Sequence, residues 1–332
     1  MKKILIAVWL CLAAVSCLAH TVVREGDCYK VSHEWKYKGR KWTTTMYIPI
    51  SLYEYYQGRV HVSDDMVHFV LSDYDRNQIR DLVDSFREGG ASVGFTEKDH
   101  LGNVISFVQS LKYVYDQDSK GAVDYVRFPV ETLVDGIGDC EDMAILAAAI
   151  LHEMGYDVLL VTLPDHLALA VDCRQDCDGT YYEYEGKKYF YLEVTNTGWE
   201  IGQIPHEYRS SRASLTPLVH KPKVRLTRSS YRYDSYLTTA TVVPFKIHCE
   251  LENVGPGTTE GLSLRVLFKR RERDVTAYVE RTFALDEMVE GSSSSYELTI
   301  AVPRPFKGLI ELRLEGLNFD TNQMLLKDVD LK

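Results

Sequence analysis

The feature that most constrains this chain is a change of hydrophobic period near its middle. Over residues 139–154 the apolar side chains recur at the spacing of one helix face: Met143, Leu146, Ala147, Ile150, Leu151 and Met154. Gly155 follows, as is common after a helix end. Between residues 158 and 195 the period becomes that of β-strands, with a hairpin turn at Glu185-Gly186. A helix followed by antiparallel strands predicts an α+β domain.

The chain before this helix carries weaker patterns. Residues 22–73 are rich in aromatic and β-branched side chains, which favours short strands and irregular structure. A helix is predicted from Ile79 to Phe86. A second is predicted to begin at Thr96, because Asp99 three positions later completes a capping box.

The last third of the chain shows only strand patterns. Six runs are separated by Gly, Ser, Asn or Asp turns: 242–251, 262–269, 275–285, 296–302, 309–314 and 324–331. Short strands at this density are typical of an immunoglobulin-like β-sandwich. We therefore predict an α+β domain over residues 20–210 with its core at 97–206, a linker at 211–222, and a sandwich at 223–332.

The first nineteen residues predict export. Lys2 and Lys3 precede an uncharged apolar run of 16 residues, which suits a secretory signal and is too short for an untilted membrane helix. Two cleavage patterns fit: a lipoprotein signal ending at Ser16, which would place a lipid on Cys17, and ordinary cleavage after Ala19. We prefer the lipoprotein pattern. The expected location is the periplasm or cell surface, including an outer-membrane lipoprotein, with no transmembrane helix.

Charge and cysteine content narrow the function. The formal net charge is −10 and no long Lys/Arg run occurs, which excludes a nucleic-acid-binding surface. Of seven cysteines, five lie beyond the signal: Cys28, Cys140, Cys173, Cys177 and Cys249. An odd number in an oxidising compartment predicts a free thiol. The spacing of Cys173 and Cys177 favours a small loop disulfide over a zinc site; pairing of Cys28 with Cys249 stays open.

Cys140 is the candidate nucleophile. It follows a glycine-containing turn and opens the predicted helix, where the helix dipole and free N–H groups favour a thiolate. The neighbouring carboxylates of Asp139, Glu141 and Asp142 have the opposite effect on the thiol, so a base would be needed. The alternative interpretation is a disulfide or core cysteine.

A base and an acid are available on the strands that follow. Alternation places His166 on one face of its strand with small alanines, and Glu193 on the polar face of a later strand. Antiparallel pairing would bring Glu193 to His166, giving a cysteine–histidine–carboxylate arrangement. Taken singly, each residue is equally compatible with a strand-end histidine or a solvated carboxylate.

Three segments resemble the transglutaminase-like superfamily in its microbial exported branch. Residues 127–144, RFPVETLVDGIGDCEDMA, are similar to its cysteine motif; residues 164–168 (PDHLA) and 191–195 (YLEVT) are similar to its histidine and acid strands. The resemblance covers about residues 126–206. It implies a papain-like fold with Cys140 as nucleophile, His166 as general base and Glu193 as orienting acid.

The resemblance leaves two roles with alternatives. Many members have Asp at the acid position, which makes Asp172 and Asp165 the alternatives to Glu193. The oxyanion would be bound by the Cys140 backbone N–H and a side-chain donor, for which Gln109 is the candidate and Tyr113 the alternative.

These observations predict an exported amide hydrolase that cleaves peptide or isopeptide bonds through an acyl-thioester on Cys140. Transglutaminase-type acyl transfer to an amine is the second enzymatic hypothesis. A catalytically inactive binding or structural module of the cell envelope is the third. The expected partner is a protein or peptide, including cell-envelope peptides, and the sequence predicts no cofactor and no metal site.

Overall fold

An antiparallel sheet begins the part of the chain that the structure describes. A computed structural model covers residues 20–62, 65–174, 177–233 and 241–331, with only the backbone of residues 327 and 328. The first sheet has the order β1 (His20–Glu25), β2 (Cys28–Tyr37) and β3 (Arg40–Pro49). The predicted signal segment and Cys17 lie outside the described residues.

Helices and two short strands follow this sheet. They are α1 (Ile50–Gln57), α2 (Val67–Val70), α3 (Arg76–Ser92), α4 (Glu97–Val108), β4 (Lys112–Tyr113), α5 (Asp116–Ser119), α6 (Pro129–Asp135), β5 (Ile137–Gly138) and α7 (Cys140–Glu153). Thr96 caps α4 in the predicted capping box, with Asp99 accepting from the Thr96 N–H at 3.0 Å. None of the described helices is long and apolar enough to cross a membrane.

Helix α7 is the centre of the first core. Ten of its residues, from Asp142 to Leu151, are buried. They pack against α3, α4, α6 and one face of a sheet, in a cluster that includes the apolar face of β2. The predicted helix is confirmed, and because it is enclosed on all sides it carries apolar residues around its whole circumference.

Five antiparallel strands form that sheet, in the order β10-β6-β7-β9-β8. They are β6 (Val158–Leu163), β7 (His166–Val171), β8 (Tyr181–Tyr184), β9 (Lys187–Leu192) and β10 (Ser214–Pro217). β10 lies within the segment predicted as a linker and pairs with β6 as an edge strand. The other face of the sheet is apolar too and is covered by Ile204 and neighbouring residues.

The rest of the described chain is β-rich. A three-stranded and a four-stranded antiparallel sheet have the orders β11-β12-β15 and β14-β13-β16-β17. The strands are β11 (Val224–Tyr233), β12 (Val242–Asn253), β13 (Ser263–Lys269), β14 (Val279–Ala284), β15 (Ser293–Pro303), β16 (Phe306–Glu315) and β17 (Asn322–Leu331). Both sheets contribute side chains to one buried cluster, including Phe245 and Phe268 with ring centroids 5.1 Å apart.

One buried side chain of the β-rich region, Glu290, reaches into the helical region. Glu290 is buried and accepts hydrogen bonds from the Ser72 hydroxyl at 2.7 Å and the Asp73 N–H at 2.8 Å. Its own backbone oxygen accepts from the Tyr74 hydroxyl at 3.1 Å. Asp75, also buried, lies next to this contact.

The five cysteines beyond the predicted signal form one disulfide and three free thiols. Cys173 and Cys177 form a disulfide, which confirms the predicted loop bridge. Cys28, Cys140 and Cys249 are free thiols. Cys249 is buried in the β-rich core, so the pairing with Cys28 that the sequence left open is not formed.

Candidate functional site

Cys140 is the first residue of α7, and two glycines shape the chain that leads to it. Gly136 ends α6 in the left-handed conformation (φ 67°), and an added Cβ would lie 2.3 Å from the His20 ring. At Gly138 an added Cβ would meet the Asp142 side chain at 2.6 Å. Glycine is therefore required twice in the turn before the cysteine, once for conformation and once for space.

The Cys140 thiol is half-buried and has two polar neighbours. Its Sγ donates to Glu141 Oε2 at 2.8 Å, and the backbone N–H of Leu167 hydrogen-bonds the sulfur. Burial, followed by the charge and the hydrogen bond of Glu141, raises the pKa of the Cys140 thiol, and the Leu167 N–H opposes this shift. The thiol is thus held in its protonated form, directly beside the residue that follows His166.

His166 opens β7 immediately after a two-residue turn. Leu163 pairs with His166, and Asp165 between them has φ 54°, the left-handed conformation that closes such a turn. The imidazole stacks on the Tyr208 ring, with centroids 4.9 Å apart and planes 3° from parallel. The short turn and the stacked ring together fix where the imidazole lies.

Glu193 is the carboxylate that meets this imidazole. His166 Nε2 lies 3.0 Å from Glu193 Oε2. β9 pairs with β7 through Tyr191 and Ala170, and continuing that register places Glu193 opposite Ala168, on the same face as His166 and two positions away. The strand alternation in the sequence thus corresponds to a direct contact between the side chains of His166 and Glu193.

Further hydrogen bonds hold the Glu193 carboxylate in place. The Tyr191 hydroxyl donates to Oε2 at 2.9 Å, while the Thr195 N–H and hydroxyl donate to Oε1 at 3.0 and 2.6 Å. Burial opposes ionisation of this carboxyl, but the hydrogen bonds from His166 and Thr195 prevail and lower the pKa of Glu193 to about 2. It is a carboxylate at every physiological pH.

The other candidate acids lie elsewhere. Asp172 follows the far end of β7 and accepts from the Arg174 N–H at 3.1 Å. Asp165 belongs to the β6–β7 turn. Among the residues that the structure describes, Glu193 is the acid whose hydrogen bond to His166 it records.

Gln109, at the end of α4, is buried near the same strands. Its side-chain Nε2 donates to the backbone oxygens of Glu193 at 2.8 Å and Trp199 at 3.0 Å. With both amide hydrogens used, an oxyanion would have to displace one of these carbonyls. Tyr113 also lies near the nucleophile: β4 runs parallel to β5, and Tyr113 pairs with Gly138, two residues before Cys140.

A buried charge network next to the first turn of α7 was not predicted from the sequence. Arg127 is completely buried and donates to Asp142 Oδ2 at 2.5 Å, Asp116 Oδ1 at 2.9 Å and Asp135 Oδ2 at 3.1 Å. Asp142 also accepts from the Arg127 backbone N–H at 2.7 Å. The network ties the chain before α6 to the first turn of α7. Arg127 falls within the motif over residues 127–144, which is the signal that could have revealed it.

Three overlapping acidic groups near Cys140 have ligand atoms close enough to hold a cation. They are Asp139-Cys140-Glu141, Asp116-Asp124-Glu141 and Asp116-Asp139-Asp142. The last already has the Arg127 guanidinium between Asp116 and Asp142. Carboxylate oxygens suit hard divalent ions, but hydrogen bonds already occupy much of this donor set.

Comparison with known proteins agrees with the sequence resemblance. Residues 93–191 match the family described as a transglutaminase-like domain. Cys140, His166 and Gln109 fall inside this range, and Glu193 lies just beyond it. No curated protein matches the sequence.

Among solved structures, one similar chain is the crystal structure of a Bordetella pertussis protein designated ApaA. It is 14% identical, covers 33% of this chain and 94% of its own, and has a TM-score of 0.23. A likeness this small carries no argument about fold or function.

Proposed function

Because residues 93–191 form a transglutaminase-like domain, we propose that this protein is a cysteine-dependent amide hydrolase that uses Cys140, His166 and Glu193. The observation that carries the proposal is that His166, hydrogen-bonded to the buried Glu193, directly precedes the residue whose N–H contacts the Cys140 sulfur. A nucleophile at a helix start, a base and an orienting carboxylate are then all within one small region.

The proton transfers follow from the His166–Glu193 contact. The carboxylate holds the hydrogen on Nε2, which leaves Nδ1 as the basic nitrogen. Nδ1 takes the proton from the Cys140 thiol as sulfur attacks the substrate carbonyl carbon. The same proton then passes to the departing amine, leaving an acyl-thioester on Cys140. A water molecule, deprotonated by His166, attacks the thioester and releases the acid and the free thiol.

The oxyanion formed in each attack needs two donors. The Cys140 backbone N–H is one, since first-turn N–H groups of a helix have no partner within that helix. We keep Gln109 as the candidate for the second donor, reached if the carbonyl of Trp199 moves away, and the Tyr113 hydroxyl as the alternative. Gln109→Ala and Tyr113→Phe test the two donors, because only loss of the true donor would slow acylation about 100-fold.

One observation favours a second candidate function. The Cys140 thiol donates to Glu141, and its raised pKa disfavours the thiolate. A protein that keeps this arrangement permanently would be an inactive binding or structural module of the cell envelope.

Alkylation by iodoacetamide separates these two functions. The rate at Cys140 is measured against pH in the native protein, in Cys140→Ala and in His166→Ala. We expect Cys140 to react faster than a simple thiol below pH 7 and to lose this advantage in His166→Ala. Equal rates in the native protein and His166→Ala, both no faster than a simple thiol, would leave the inactive module.

Hydrolysis and transfer are separated by the fate of the acyl group. After Cys140 is acylated with a p-nitrophenyl ester, a primary amine is added in excess and the products are identified by mass. Release of the free acid supports the hydrolase that we propose, whereas incorporation of the amine indicates transglutaminase-type transfer.

We also propose that the protein is exported, because the Cys173–Cys177 disulfide would persist only in an oxidising compartment. Cell fractionation tests this, and loss of lipid labelling in Cys17→Ala tests the lipoprotein hypothesis. For the β-rich region we propose an immunoglobulin-like scaffold, since two antiparallel sheets share one apolar core.

A further inference from the structure

Tyr113, one of a pair of exposed aromatic rings, lies near the Cys140 thiol. Tyr113 and Tyr115 are 37% and 65% exposed, and their rings meet edge to face with centroids 5.3 Å apart. Burial raises the pKa of the Tyr113 hydroxyl, and the nearby carboxylates of Asp139 and Glu141 raise it further. Exposed tyrosine rings near this thiol offer a surface for a cationic ligand, since tyrosine faces attract cations.

The carboxylates of Asp139 and Glu141 lie near Tyr113, and Asp124 lies near Glu141. Asp124 is exposed, Glu141 is half-exposed, and an oxygen of each lies within 4.8 Å of the other and of Asp116. Oxygens of Asp139 and Glu141 and the Cys140 sulfur also lie within 4.8 Å of one another. We call Tyr113, Tyr115, Asp124, Asp139 and Glu141 the acidic rim.

One buried oxygen of the acidic rim has no hydrogen-bond partner among the described residues. Asp139 is only 7% exposed, and its Oδ1 is buried with no hydrogen-bond partner among the described residues. The nearby cations are committed to other acids, because Arg127 binds Asp116, Asp135 and Asp142, and Lys120 pairs with Asp135 at 3.0 Å. A buried polar oxygen without a partner is costly even when its carboxyl group is protonated, and the nearby cations do not offset the rim carboxylates, so the rim can accept a positive charge from outside the chain.

We propose that the acidic rim recognises a cationic side chain, of lysine or arginine type, next to the amide that Cys140 attacks. This inference rests on the proposed function for the identity of the attacked bond. The cation lies between the carboxylates of Asp124 and Glu141 and against the faces of Tyr113 and Tyr115. A basic peptide is therefore the preferred substrate class.

The bound cation also changes the state of the nucleophile. Glu141 now accepts the Cys140 S–H, and its charge stabilises the protonated thiol. When a substrate cation pairs with Glu141, that charge is offset and the thiol proton is free to pass to His166. A cationic substrate thus assists the proton transfer to His166, and neutral or acidic peptides should acylate Cys140 more slowly.

Charged thiol reagents test this without a known substrate. Two methanethiosulfonates of equal size, one carrying a trimethylammonium group and one a sulfonate group, are compared for their rates of reaction with Cys140. The protein is the Cys28→Ser variant, so that the buried Cys249 is the other free thiol among the described residues. The buffer contains EDTA. We expect the ratio of cationic to anionic rates at Cys140 to exceed the ratio on 2-mercaptoethanol by about tenfold or more. Asp124→Asn and Glu141→Gln should each reduce it, while Asp81→Asn, an exposed and distant charge change, should not. Tyr115→Ala should reduce it and Tyr115→Phe should retain it.

Each contrary outcome has a distinct meaning. A ratio equal to that on 2-mercaptoethanol overturns charge recognition even if His166→Ala still slows alkylation, in which case the proposed function stands. A high ratio with no effect of His166→Ala leaves charge recognition and removes the hydrolase. If millimolar calcium abolishes the ratio, the carboxylates hold a metal ion and the inference fails.

A peptide series then tests the substrate class. Peptides that differ only by Lys, Gln or Glu beside the attacked amide are compared for acylation of Cys140. We expect Lys to exceed Glu by about tenfold or more in native protein and the two to converge in the Asp124→Asn/Glu141→Gln double variant. Equal acylation by Lys and Glu peptides in native protein would overturn the inference.

Discussion

His166 Nε2 and Glu193 Oε2 lie 3.0 Å apart, and the other hydrogen bonds that the described residues donate to that carboxylate come from Tyr191 and Thr195. Glu193 is 2% exposed. The contact therefore fixes the imidazole through a carboxylate that is itself fixed on both oxygens. This arrangement makes the acid position testable by small changes in side-chain charge and length.

Glu193→Gln should reduce the rate of Cys140 acylation by about 10³-fold, because an amide no longer selects the Nε2–H tautomer or stabilises the imidazolium. Acylation by a p-nitrophenyl ester is the measurement. The acylation rate should fall less in Glu193→Asp, because the shorter carboxylate can still reach His166 by giving up its hydrogen bonds with Thr195. An acylation rate of Glu193→Gln equal to that of the native protein would assign the orienting role to another acid, with Asp172→Asn as the next variant.

Tyr208→Ala should slow acylation by roughly two- to tenfold, because the imidazole loses the ring that holds its plane. This factor corresponds to the free energy of one aromatic stacking contact. Tyr208→Phe keeps the ring and should keep the rate. The alkylation profile against pH should change in Tyr208→Ala and not in Tyr208→Phe. If both variants are slowed alike, the hydroxyl and not the stack is the relevant feature.

Arg127→Met should destabilise the fold by about 3–5 kcal/mol, since it leaves Asp116 and Asp142 buried without their cation. Urea unfolding of the purified protein is the measurement. Arg80→Ala, which breaks an exposed ion pair with Glu153 instead, should leave the unfolding midpoint nearly unchanged. A small effect in Arg127→Met would mean that water reaches the acids readily.

Stability should rise as the pH falls from about 8 toward 5. Burial raises the pKa of Asp139 to about 8 and of Asp142 to about 7, and burial also raises the pKa of Asp75 and Glu290. The folded state then binds more protons than the unfolded state between the ordinary pKa and the raised one, so acid favours folding there.

Below that window the sign reverses. The pKa of Glu193 is lowered in the folded state, so its contribution is complete above its ordinary pKa near 4.5 and is lost as the pH falls toward 2. Urea midpoints from pH 8 to 3 should therefore pass through a maximum. In Asp75→Asn the urea midpoint should rise less steeply as the pH falls from 8 to 5. A midpoint that falls continuously from pH 8 downward would contradict the raised pKa values of the buried carboxyl groups.

Much of this arrangement could be predicted from the sequence where a local period determines it. The start of α7 at Cys140 followed from the apolar spacing, and the faces of His166 and Glu193 followed from strand alternation. The immunoglobulin-like class of the β-rich region, by contrast, stays a prediction.

Contacts between residues distant in sequence could not be predicted in the same way. Tyr208 reaches His166 from a 3₁₀ turn with no periodic pattern, and no hydrophobic period around Arg127 indicates that its side chain is completely buried. Ser214–Pro217 has the composition of a connecting segment, yet it pairs with β6 because that edge would otherwise be open. These features depend on tertiary packing, which a single sequence does not encode in any local pattern.

Glu290 gives the chain a property that matters for its modularity. Because its carboxylate accepts hydrogen bonds from the Ser72 hydroxyl and the Asp73 N–H, cutting the gene at residue 222 would remove these buried acceptors from the helical region. Recombination that exchanged the β-rich region for an unrelated module would meet the same obstacle. The two regions are therefore expected to be inherited and expressed together, as one evolutionary unit.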